Sequence, residues 1–429
     1  MTDPWIEITH SLLETLFGDI LDGANVRLWD GDHWPSHGPA KATIVLKHPG
    51  ALRAMFLAGS QVALAEAYLF DDFDVEGDLE ALFDAAVAIP ERIEGLGTRL
   101  ELARHLLRLP SEQIERPMAR GPARLRGRQH SADRDREAIS YHYDVSNEFY
   151  QLFLDRRMIY SCAYFEAPET DLDTAQARKL DHICRKLRLQ PGQRLLDVGC
   201  GWGGLVIHAA QHYGVDATGI TLSSEQLELA NERIREAGLQ ERARVLLQDY
   251  REVDESQPYD ALASVGMFEH VGSELLPTYF AKALSLVRPR GVFLNHGIAR
   301  GGRATSPKGA SFSNTYVFPD GELVPIHTTL ETAEGAGWEV RDVESLREHY
   351  AMTLRHWVRR LERHHDEALQ YVGEPTYRVW RLFMAGSAQG FAAERHNLYQ
   401  TLLVRPDERG HSGLPLTRAD WYREAAPGS

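Results

Sequence analysis

The chain has 429 residues, of which 43% are apolar and 25% are charged, and these proportions are ordinary for a globular protein. A single hydrophobic core rarely extends over such a length, so we expect two domains. The formal net charge of −15 argues against a nucleic-acid-binding protein, although a local basic patch could still meet a membrane surface.

The cysteines and the N-terminus indicate the compartment. Cys162, Cys184 and Cys200 are too few for a disulfide framework, and no two have the spacing of a zinc ribbon. The first residues, MTDPWIEITH, lack the basic start and apolar core of a signal peptide. No apolar run reaches the ~18 residues of a membrane span. We therefore expect a cytoplasmic protein that reaches any lipid from the inner face of the membrane.

Residues 1–105 are predicted to form a small α+β domain. A strand and a tight turn are expected within 27–35, a strand at 42–47, and helical segments around an acidic loop at 59–87. The first helix is predicted from apolar residues at helical spacing, namely Leu12, Leu13, Leu16, Phe17 and Ile20. No catalytic constellation stands out here, which favours a scaffold or binding module.

An arginine-rich linker is predicted at 106–137. Prolines and glycines interrupt any regular element there. No acidic residue separates its arginines, which are Arg116, Arg120, Arg124, Arg126 and Arg128. The linker is either a solvated tether or a contact with anionic lipid headgroups, on the order of 1 kcal/mol per near-surface charge.

Residues 138–429 have the pattern of an α/β domain. Helical stretches separate the strands, as a parallel doubly wound (Rossmann-like) sheet requires. The predicted strands are 194–198, 217–221, 244–249, 260–265 and 291–297. The helix after the second strand has capping-box spacing from Ser223 to Gln226 and a stop at Gly238.

The first of these strands runs into a glycine loop, Asp197-Val-Gly-Cys-Gly-Trp-Gly, that opens a helix. Gly199, Gly201 and Gly203 let the backbone turn sharply and let a ligand lie close. A dinucleotide fingerprint needs an acid ~20 residues further on, and Glu225 already lies inside the next predicted helix. Asp197 would repel a pyrophosphate but suits a cationic ligand, so S-adenosylmethionine is favoured over NAD.

Polar residues also follow the next two strands, where open α/β sheets bind ligands. Thr221, Ser223 and Gln226 could bond a ribose. Asp249 could accept an adenine amino hydrogen, and the ring of Tyr250 could stack on the base. Core packing is the alternative for Tyr250.

The catalytic region resembles the cyclopropane-fatty-acyl-phospholipid synthases, with the mycolic acid cyclopropane synthases as more distant relatives. The similarity covers most of 138–400, and the N-terminal region looks like the extra domain of the bacterial phospholipid enzymes. The stretches that carry it are YHYDVSNEFYQLFLD (141–155), YSCAYFE (160–166), 175–205, TLSSEQ (221–226), LLQDYRE (246–252), SVGMFEHVG (264–272), YVFPDGELVP (316–325) and EHYAMTL (348–354).

The resemblance implies a class I S-adenosylmethionine-dependent methyltransferase fold and a homodimer. It also implies transfer of a methyl group to the cis double bond of a phospholipid acyl chain. The resulting carbocation loses a proton as the cyclopropane ring closes, and in the family a bound bicarbonate is thought to take that proton.

The family's site residues carry over by position. Those implied to touch the donor are Tyr160, Ser161, Gly199, Gly201, Gly203, Thr221, Leu222, Gln226, Asp249 and Tyr250. Those implied to hold bicarbonate are Cys162, Glu269, His296, Ile298 and Tyr350. An anion beside a carboxylate is repelled unless hydrogen bonds offset the repulsion. We therefore expect the O–H of bicarbonate to donate to Glu269, while His296 and Tyr350 donate to the other oxygens of bicarbonate. For Cys162 we expect backbone donation and packing, not nucleophilic attack.

An acyl-chain cavity must exclude water from a carbocation, and aromatic faces can stabilise it. Phe165, Phe268, Tyr316 and Phe318 are the candidate substrate contacts, with core packing as the alternative for each. A late helical cysteine of the family is replaced by Ser387, which weakens any role for a cysteine nucleophile. The glycine- and serine-rich stretch 299–314 matches poorly and is expected near the lipid entrance.

The sequence therefore predicts a peripheral membrane enzyme that makes cyclopropane fatty acids. The nearest rival function is the same carbocation chemistry with a methylene or methyl-branched product. A small-molecule methyltransferase and a non-catalytic lipid-binding protein are two further candidates. The methylene or methyl-branched product would lack the three-membered ring. A small-molecule methyltransferase would not need vesicles, and a non-catalytic protein would not turn over the methyl donor.

Overall fold

The structure is a computed structural model that describes residues 3–18, 20–21, 23–35, 40–111, 121–123, 125, 127–143, 146–304 and 310–422. Its helices are α1 (Pro4–Leu16), α2 (Ala51–Phe56), α3 (Gln61–Leu69), α4 (Phe83–Arg92), α5 (Leu96–Leu106), α6 (Ala132–Tyr143), α7 (Asn147–Gln151), α8 (Leu172–Lys186), α9 (Gly204–Tyr213), α10 (Ser224–Glu236), α11 (Leu276–Leu286), α12 (Phe312–Tyr316), α13 (Ile326–Gly335), α14 (Arg347–Arg363), α15 (His365–Tyr371) and α16 (Glu374–Ala392). Its strands are β1 (Ala24–Arg27), β2 (His33–Trp34), β3 (Ala42–Leu46), β4 (Phe73–Gly77), β5 (Arg194–Val198), β6 (Asp216–Thr221), β7 (Ala243–Leu247), β8 (Tyr259–Val265), β9 (Val287–Arg300), β10 (Glu339–Ser345) and β11 (His396–Val404).

The chain divides into two compact units. Unit 1 comprises Met1–Ala123, Ser306–Val317 and His364–Gln389, and unit 2 comprises Arg124–Thr305, Phe318–Arg363 and Gly390–Ser429. Two segments of the region predicted as a catalytic domain, 138–429, are thus grouped with the N-terminal residues. In the predicted linker, Arg116, Arg120, Arg124 and Arg126 lie outside the described residues, whereas Arg128 lies within them, just before α6.

A four-stranded sheet in the order β2-β1-β3-β4 forms the centre of unit 1. The acidic stretch that was expected to be a loop is β4, paired antiparallel with β3. Its burial alternates, since Phe73 and Val75 face inward and Asp74 and Glu76 are more exposed, and this period of two favours a strand. The first predicted helix is confirmed as α1, which buries Leu12, Leu13 and Leu16.

Two arginines of α16 explain why that helix belongs to unit 1. The Arg378 guanidinium donates to the carbonyl of Tyr68 at 2.8 Å and to the carboxylate of Asp71 at 2.9 Å. Arg381 donates to the Tyr68 hydroxyl at 2.8 Å and to the carbonyl of Val75 at 3.2 Å. Both guanidinium groups are buried, so these bonds satisfy charges that burial would otherwise destabilise.

Unit 2 contains a seven-stranded sheet in the order β10-β11-β9-β8-β5-β6-β7. The five predicted strands are confirmed as β5 to β9 and run parallel to one another. The sheet is nevertheless mixed, because β11 pairs antiparallel with both β9 and β10. The fold therefore combines an α/β unit built on a seven-stranded mixed sheet with a smaller N-terminal α+β unit.

Helices cover the sheet of unit 2 through regular caps and apolar sides. The predicted cap of α10 is confirmed, since the Ser223 hydroxyl accepts from the backbone N–H of Gln226.

The carboxyl ends of β5, β6, β7 and β8 meet at one edge of the sheet, which is where ligands bind in this architecture. Within the described ranges, every helix is too short or too polar to cross a bilayer.

Candidate active site

The glycine loop joins β5 to α9 and turns through left-handed backbone. Gly199, Gly201 and Gly203 have φ of +78°, +54° and +76°, a region that disfavours residues with a Cβ. A Cβ at Gly199 would lie 2.8 Å from the Cβ of Met267, whereas one at Gly201 would meet nothing within 4 Å. The backbone is therefore open toward a ligand at Gly201.

A cleft lies beside this loop at the carboxyl edge of the sheet. The predicted donor residues that line it are Tyr160, Ser161, Asp197, Gly199, Gly201, Thr221, Leu222, Gln226, Asp249 and Tyr250. Gly203 is the exception. It caps α9, and a Cβ there would lie 3.2 Å from the Cβ of Ala230, so the absence of a side chain serves helix packing.

The cleft has further lining residues that the sequence did not single out for ligand binding. They are Asp135, Met158, Lys179, Cys200, Trp202, Arg251, Met267 and His270, among others. Cys200 and Trp202 belong to the glycine loop itself, so their position in the chain was a usable signal. Lys179 and Asp135 are single charged residues on helices, and nothing in their spacing distinguishes them from solvated ones.

Two buried charged groups face the cleft near the loop. Asp197 is 2% exposed, its Oδ1 has no hydrogen-bond partner among the described residues, and burial raises its pKa to about 7. The Lys179 ammonium, also 2% exposed, donates to Ser161 Oγ at 2.9 Å, and burial lowers its pKa to about 8. An unsatisfied carboxylate oxygen at this place suits a ligand that carries a cation.

Polar groups at the ends of β6 and β7 are partly engaged with each other. Thr221 Oγ1 donates to Gln226 Oε1 at 2.7 Å. The Asp249 carboxylate accepts from the Arg251 side chain at 2.9 and 2.6 Å. Burial alone would raise the pKa of Asp249, but the bonds from Arg251 outweigh it and hold that pKa below its ordinary value. Asp249 is thus an ionised, anchored carboxylate, with less free capacity for an adenine amino group than we expected.

A second polar cluster is centred on Glu269, in the one-turn helix that follows β8. Its Oε1 accepts from the backbone N–H of Ile298 at 2.6 Å, and its Oε2 has no partner in the described part of the chain. Glu269 is 8% exposed, and burial raises its pKa to about 7. Near neutral pH this carboxyl group can hold or release a proton.

His296 lies on the same face of β9 as Ile298, two residues earlier. Its Nδ1 is 3.1 Å from Gln400 Nε2 on β11. Because an amide nitrogen only donates, Nδ1 is the acceptor and the ring proton resides on Nε2. That Nε2 is buried and without a partner among the described atoms. Burial lowers the pKa of His296 well below its ordinary value, so the ring is a neutral donor.

Cys162 and Tyr350 are connected to β11 through backbone groups at the start of α14, and in the described structure their side chains make no hydrogen bond to Glu269 Oε2 or His296 Nε2. The Cys162 thiol lies 3.8 Å from the carbonyl oxygen of Leu346, and that carbonyl also accepts from the Tyr350 N–H at 3.1 Å. Leu346 in turn donates to the carbonyl of Leu398, which is the β11 partner of Ile298. Burial raises the pKa of the Cys162 thiol, so it is not a thiolate nucleophile.

The four aromatic candidates for substrate contact are not brought together. Phe165 stacks on His356 with ring centroids 5.6 Å apart, and Phe268 lies in the core against Tyr279 and Phe280. Phe318 is 5.7 Å from the ring of His270, which lines the cleft.

Tyr316 belongs to unit 1, where its hydroxyl donates to Glu66 at 2.7 Å. Ser387 is in the part of α16 that also belongs to unit 1. The stretch 299–314 includes 305–309, which lie outside the described residues. The contribution of these residues to a lipid cavity stays a prediction.

In the part of the chain that the structure describes, no three His, Cys, Asp or Glu side chains come together as they would in a metal centre. Within the described residues, the cleft offers an open loop with an unpaired carboxylate oxygen, and a separate cluster that does not line the cleft offers a buried carboxyl and a neutral imidazole. Such groups can bind a cationic ligand and handle a single proton in a low-dielectric space.

Comparison with known proteins places this chain beside lipid-modifying methyltransferases. The family model for mycolic acid cyclopropane synthetase matches residues 130–401. A "probable fatty acid methyltransferase" of Pseudomonas putida is 42% identical over 93% of this chain and 96% of its own length. The cyclopropane-fatty-acyl-phospholipid synthase of Escherichia coli is 32% identical over 87% of this chain and 91% of its own length.

A solved structure shows the same catalytic fold. The mycolic acid cyclopropane synthase CmaA1, complexed with SAH and CTAB, is 34% identical with a TM-score of 0.59. The match covers 97% of that protein but 62% of this one. The E. coli protein, by contrast, is matched along most of the present chain, including residues of the N-terminal unit.

Proposed function

This chain belongs to the mycolic acid cyclopropane synthetase family, and on that premise we propose that it is a cyclopropane-fatty-acyl-phospholipid synthase. It would use S-adenosylmethionine to convert a cis double bond in a phospholipid acyl chain into a cyclopropane ring. The coarser part of this assignment, an S-adenosylmethionine-dependent fatty acid methyltransferase, is what the family and its relatives support directly. The phospholipid substrate is favoured because the E. coli phospholipid enzyme matches nearly the whole chain.

The cleft residues fit the methyl donor. Gly201 leaves room for a ligand against the backbone, and the free Oδ1 of Asp197 can accept from an ammonium group. Thr221 and Gln226 stand where a ribose can be bound, and the half-buried ring of Tyr250 offers a face to a base. When bound, S-adenosylmethionine supplies an electrophilic methyl group.

The second cluster fits a small oxyanion, and this observation carries the cyclopropane assignment. His296 Nε2 is a buried donor without a partner in the described structure, and Glu269 Oε2 is a buried oxygen without one. Bicarbonate has both an O–H to donate to Glu269 and oxygens to accept from His296. When bound, bicarbonate supplies a base for the proton that ring closure releases. Glu269 and His296 would fix its orientation, and the Cys162 region would contribute packing.

Water must be kept from a cation that develops on the acyl chain. Of the four aromatic candidates, Phe318 is the one we expect to line that apolar space, because its ring lies 5.7 Å from the ring of His270, which lines the cleft. The reaction would take place at the membrane surface, on a peripherally bound protein that forms a homodimer.

A second candidate is the same methyl transfer with a methylene or methyl-branched product. The P. putida relative is named a probable fatty acid methyltransferase, a name that does not specify the product, and this keeps the second candidate open. Ring closure takes a proton from the transferred methyl group directly, a methylene product takes it from the same group after a hydride shift, and a methyl-branched alkene loses a proton of the acyl chain instead.

The test uses the purified full chain, labelled S-adenosylmethionine and vesicles of a monounsaturated phospholipid. We expect label in the lipid, a mass gain of one CH₂ per chain, and the high-field NMR signals of cyclopropane protons. Signals of a methylene group (C=CH₂) on the chain, or of a methyl branch, would support the second candidate instead. Absence of label from the lipid would overturn both, and transfer to water-soluble acceptors without vesicles would indicate a small-molecule methyltransferase.

A further inference from the structure

Helix α5 is anchored in unit 1 by one side only. Leu102 and Leu106 on that side are 6% and 1% exposed, and Leu109 just beyond the helix is 1% exposed. The guanidinium of Arg53 donates to the Leu109 carbonyl at 2.8 Å, which fixes the end of the segment. These buried residues hold the helix in place without any contribution from its outer side.

The outer side carries a leucine row, defined as Leu96, Leu100 and Leu107. These side chains are 82%, 71% and 57% exposed. Residues four and eleven positions apart lie on one side of a helix with ~3.6 residues per turn, so the three form one continuous row. A single exposed leucine is ordinary, but three adjacent ones on a monomer surface indicate an interaction site.

Arginines border the leucine row on both sides. Arg99 lies on one side and Arg104 and Arg108 on the other, and all three are exposed. Glu101 lies further round the helix, beyond Arg104. This local excess of cations contrasts with the net charge of −15 of the whole chain. An apolar row bordered by cations is the pattern of a helix that lies in the headgroup region of an anionic bilayer.

We propose that α5 docks this protein on anionic phospholipid bilayers, with the leucine row among the acyl chains and the arginines at the level of the phosphates. This inference rests on the proposed function for its lipid partner and adds the element that binds it. A second copy of the chain is a poorer occupant. A two-fold contact through this face would bring arginine borders of both copies together, which is electrostatically unfavourable.

The experiment compares full-length variants by flotation with vesicles of unsaturated phosphatidylglycerol and phosphatidylethanolamine. Leu96→Gln with Leu100→Gln keeps helix propensity and adds no charge, because glutamine and leucine are similar helix formers. We expect this pair to lower vesicle affinity about tenfold or more, from the apolar area that no longer inserts. The matched control is Leu416→Gln, at a leucine outside unit 1 that is even more exposed, which should bind like the wild type.

Arg104→Gln with Arg108→Gln tests the electrostatic part. We expect affinity for the anionic vesicles to fall about fivefold per charge. Affinity for phosphatidylcholine vesicles of the same acyl chains should not change. A loss of equal size on both lipids would overturn the assigned role of the arginines.

Turnover of the same lipid in detergent micelles separates this inference from the function itself. Loss of vesicle binding by the leucine variant with micellar turnover retained supports docking through α5. Wild-type vesicle affinity in that variant overturns it. A change of oligomeric state in the leucine variant, seen by light scattering, also overturns it in favour of a second copy as occupant. If the wild-type protein shows no turnover in micelles, the proposed function is contradicted. Docking through α5 is then judged from the vesicle flotation alone.

Discussion

The backbone N–H of Ile298 donates to Oε1 of Glu269 at 2.6 Å, and this single bond sets the orientation of the carboxyl group. One oxygen is committed to the strand and the other, Oε2, is buried and unpartnered within the described structure. Leaving a buried polar oxygen unsatisfied costs about 1–3 kcal/mol. The anchor of the carboxyl group, Ile298, is two residues along β9 from His296, whose Nε2 is equally unpartnered in the described structure, so these two atoms are the candidates for contact with a small ligand.

Glu269→Gln should reduce product formation by about a hundredfold or more, the range of positioned proton-transfer groups. The amide can still accept from the Ile298 N–H, so the local structure should remain. Affinity for S-adenosylmethionine, measured by titration calorimetry, should stay within about twofold, because Glu269 is not among the residues that line the donor cleft. Glu274→Gln, at an exposed acid nearby, is the control and should behave as wild type. A comparable loss of donor affinity in Glu269→Gln would contradict the role.

The same substitution should change stability in a pH-dependent way. Burial raises the pKa of Glu269 from 4.5 to about 7. Below pH 4.5 both folded and unfolded chains are protonated at this group. As pH rises from 4.5 to 7, the unfolded chain loses the proton while the folded chain keeps it, so wild-type stability falls. Glu269→Gln removes that loss and should be more stable than wild type at pH 8, by about 3 kcal/mol at most.

Thermal melting at pH 4.5 and pH 8, without donor or bicarbonate, measures this difference. The gain of the variant over wild type should be near zero at the lower pH and largest at the higher one. An equal gain at both values would show that the carboxyl group is not the source. A gain at pH 8 would also mean that the site maintains Glu269 at the expense of stability, as expected for a functional residue.

Much of the donor cleft could be predicted from the sequence because it follows from backbone order. Each buried strand ends in polar residues, and parallel strands place those ends at one edge, so Asp197, Thr221 and Asp249 converge. The hydrogen bond that positions the His296 ring could not be predicted this way, because its partner Gln400 is on β11. Only three residues separate that strand from the end of α16, none of them proline or glycine, and the periodicity of the strand merges with that of the helix.

Lys179 illustrates a different limit. It is on the buried side of α8, among apolar residues at helical spacing, but lysine is so commonly exposed that its type predicts a solvated position. Only the tertiary structure shows that burial against the glycine loop and Asp197 has brought the ammonium into the cleft. Sequence patterns therefore miss charged residues such as Lys179, whose burial results from tertiary contacts.

The bond from Lys179 to Ser161 leads to a prediction for donor binding. A protonated lysine cannot accept, so Ser161 Oγ accepts from it and turns its own hydrogen elsewhere, toward the cleft that Ser161 lines. Lys179→Met should remove this preference and weaken S-adenosylmethionine binding about tenfold, which corresponds to the lower end of the energy of a hydrogen bond to a charged group, about 1.5 kcal/mol. The substitution also leaves the buried Asp155 and Asp197 without this cation, so the variant should melt at a lower temperature and donor binding is measured well below that temperature.

A double-mutant cycle with Ser161→Ala checks the coupling. The two substitutions should be strongly non-additive, since Lys179 acts through the hydroxyl. Because burial lowers the pKa of Lys179 to about 8, wild-type donor affinity should lose a component as pH rises through about 8, and Lys179→Met should lack that step. Additive effects, or the same pH step in the variant, would show that Lys179 does not orient Ser161.

Arg251 provides the last prediction, because it ties α6 to the end of β7. Its guanidinium donates to Asp249 at 2.6 Å and to Asp135 of α6 at 3.0 Å, and both acids line the cleft. Arg251→Gln should free α6 to open, so we expect faster hydrogen exchange over 132–143 and a donor dissociation rate about tenfold higher. The size follows from losing a charge-assisted bond of about 1.5–3 kcal/mol.

Arg244→Gln is the matched control for that experiment. Arg244 pairs with Asp216 at 3.1 Å, but both side chains are about two-fifths exposed, at 45% and 41%, and such surface pairs contribute little. Stopped-flow release of the donor should therefore be unchanged in Arg244→Gln and accelerated in Arg251→Gln. If both variants release the donor at the wild-type rate, α6 does not control the cleft, and the Arg251 bridge serves only to keep Asp249 ionised at the end of β7.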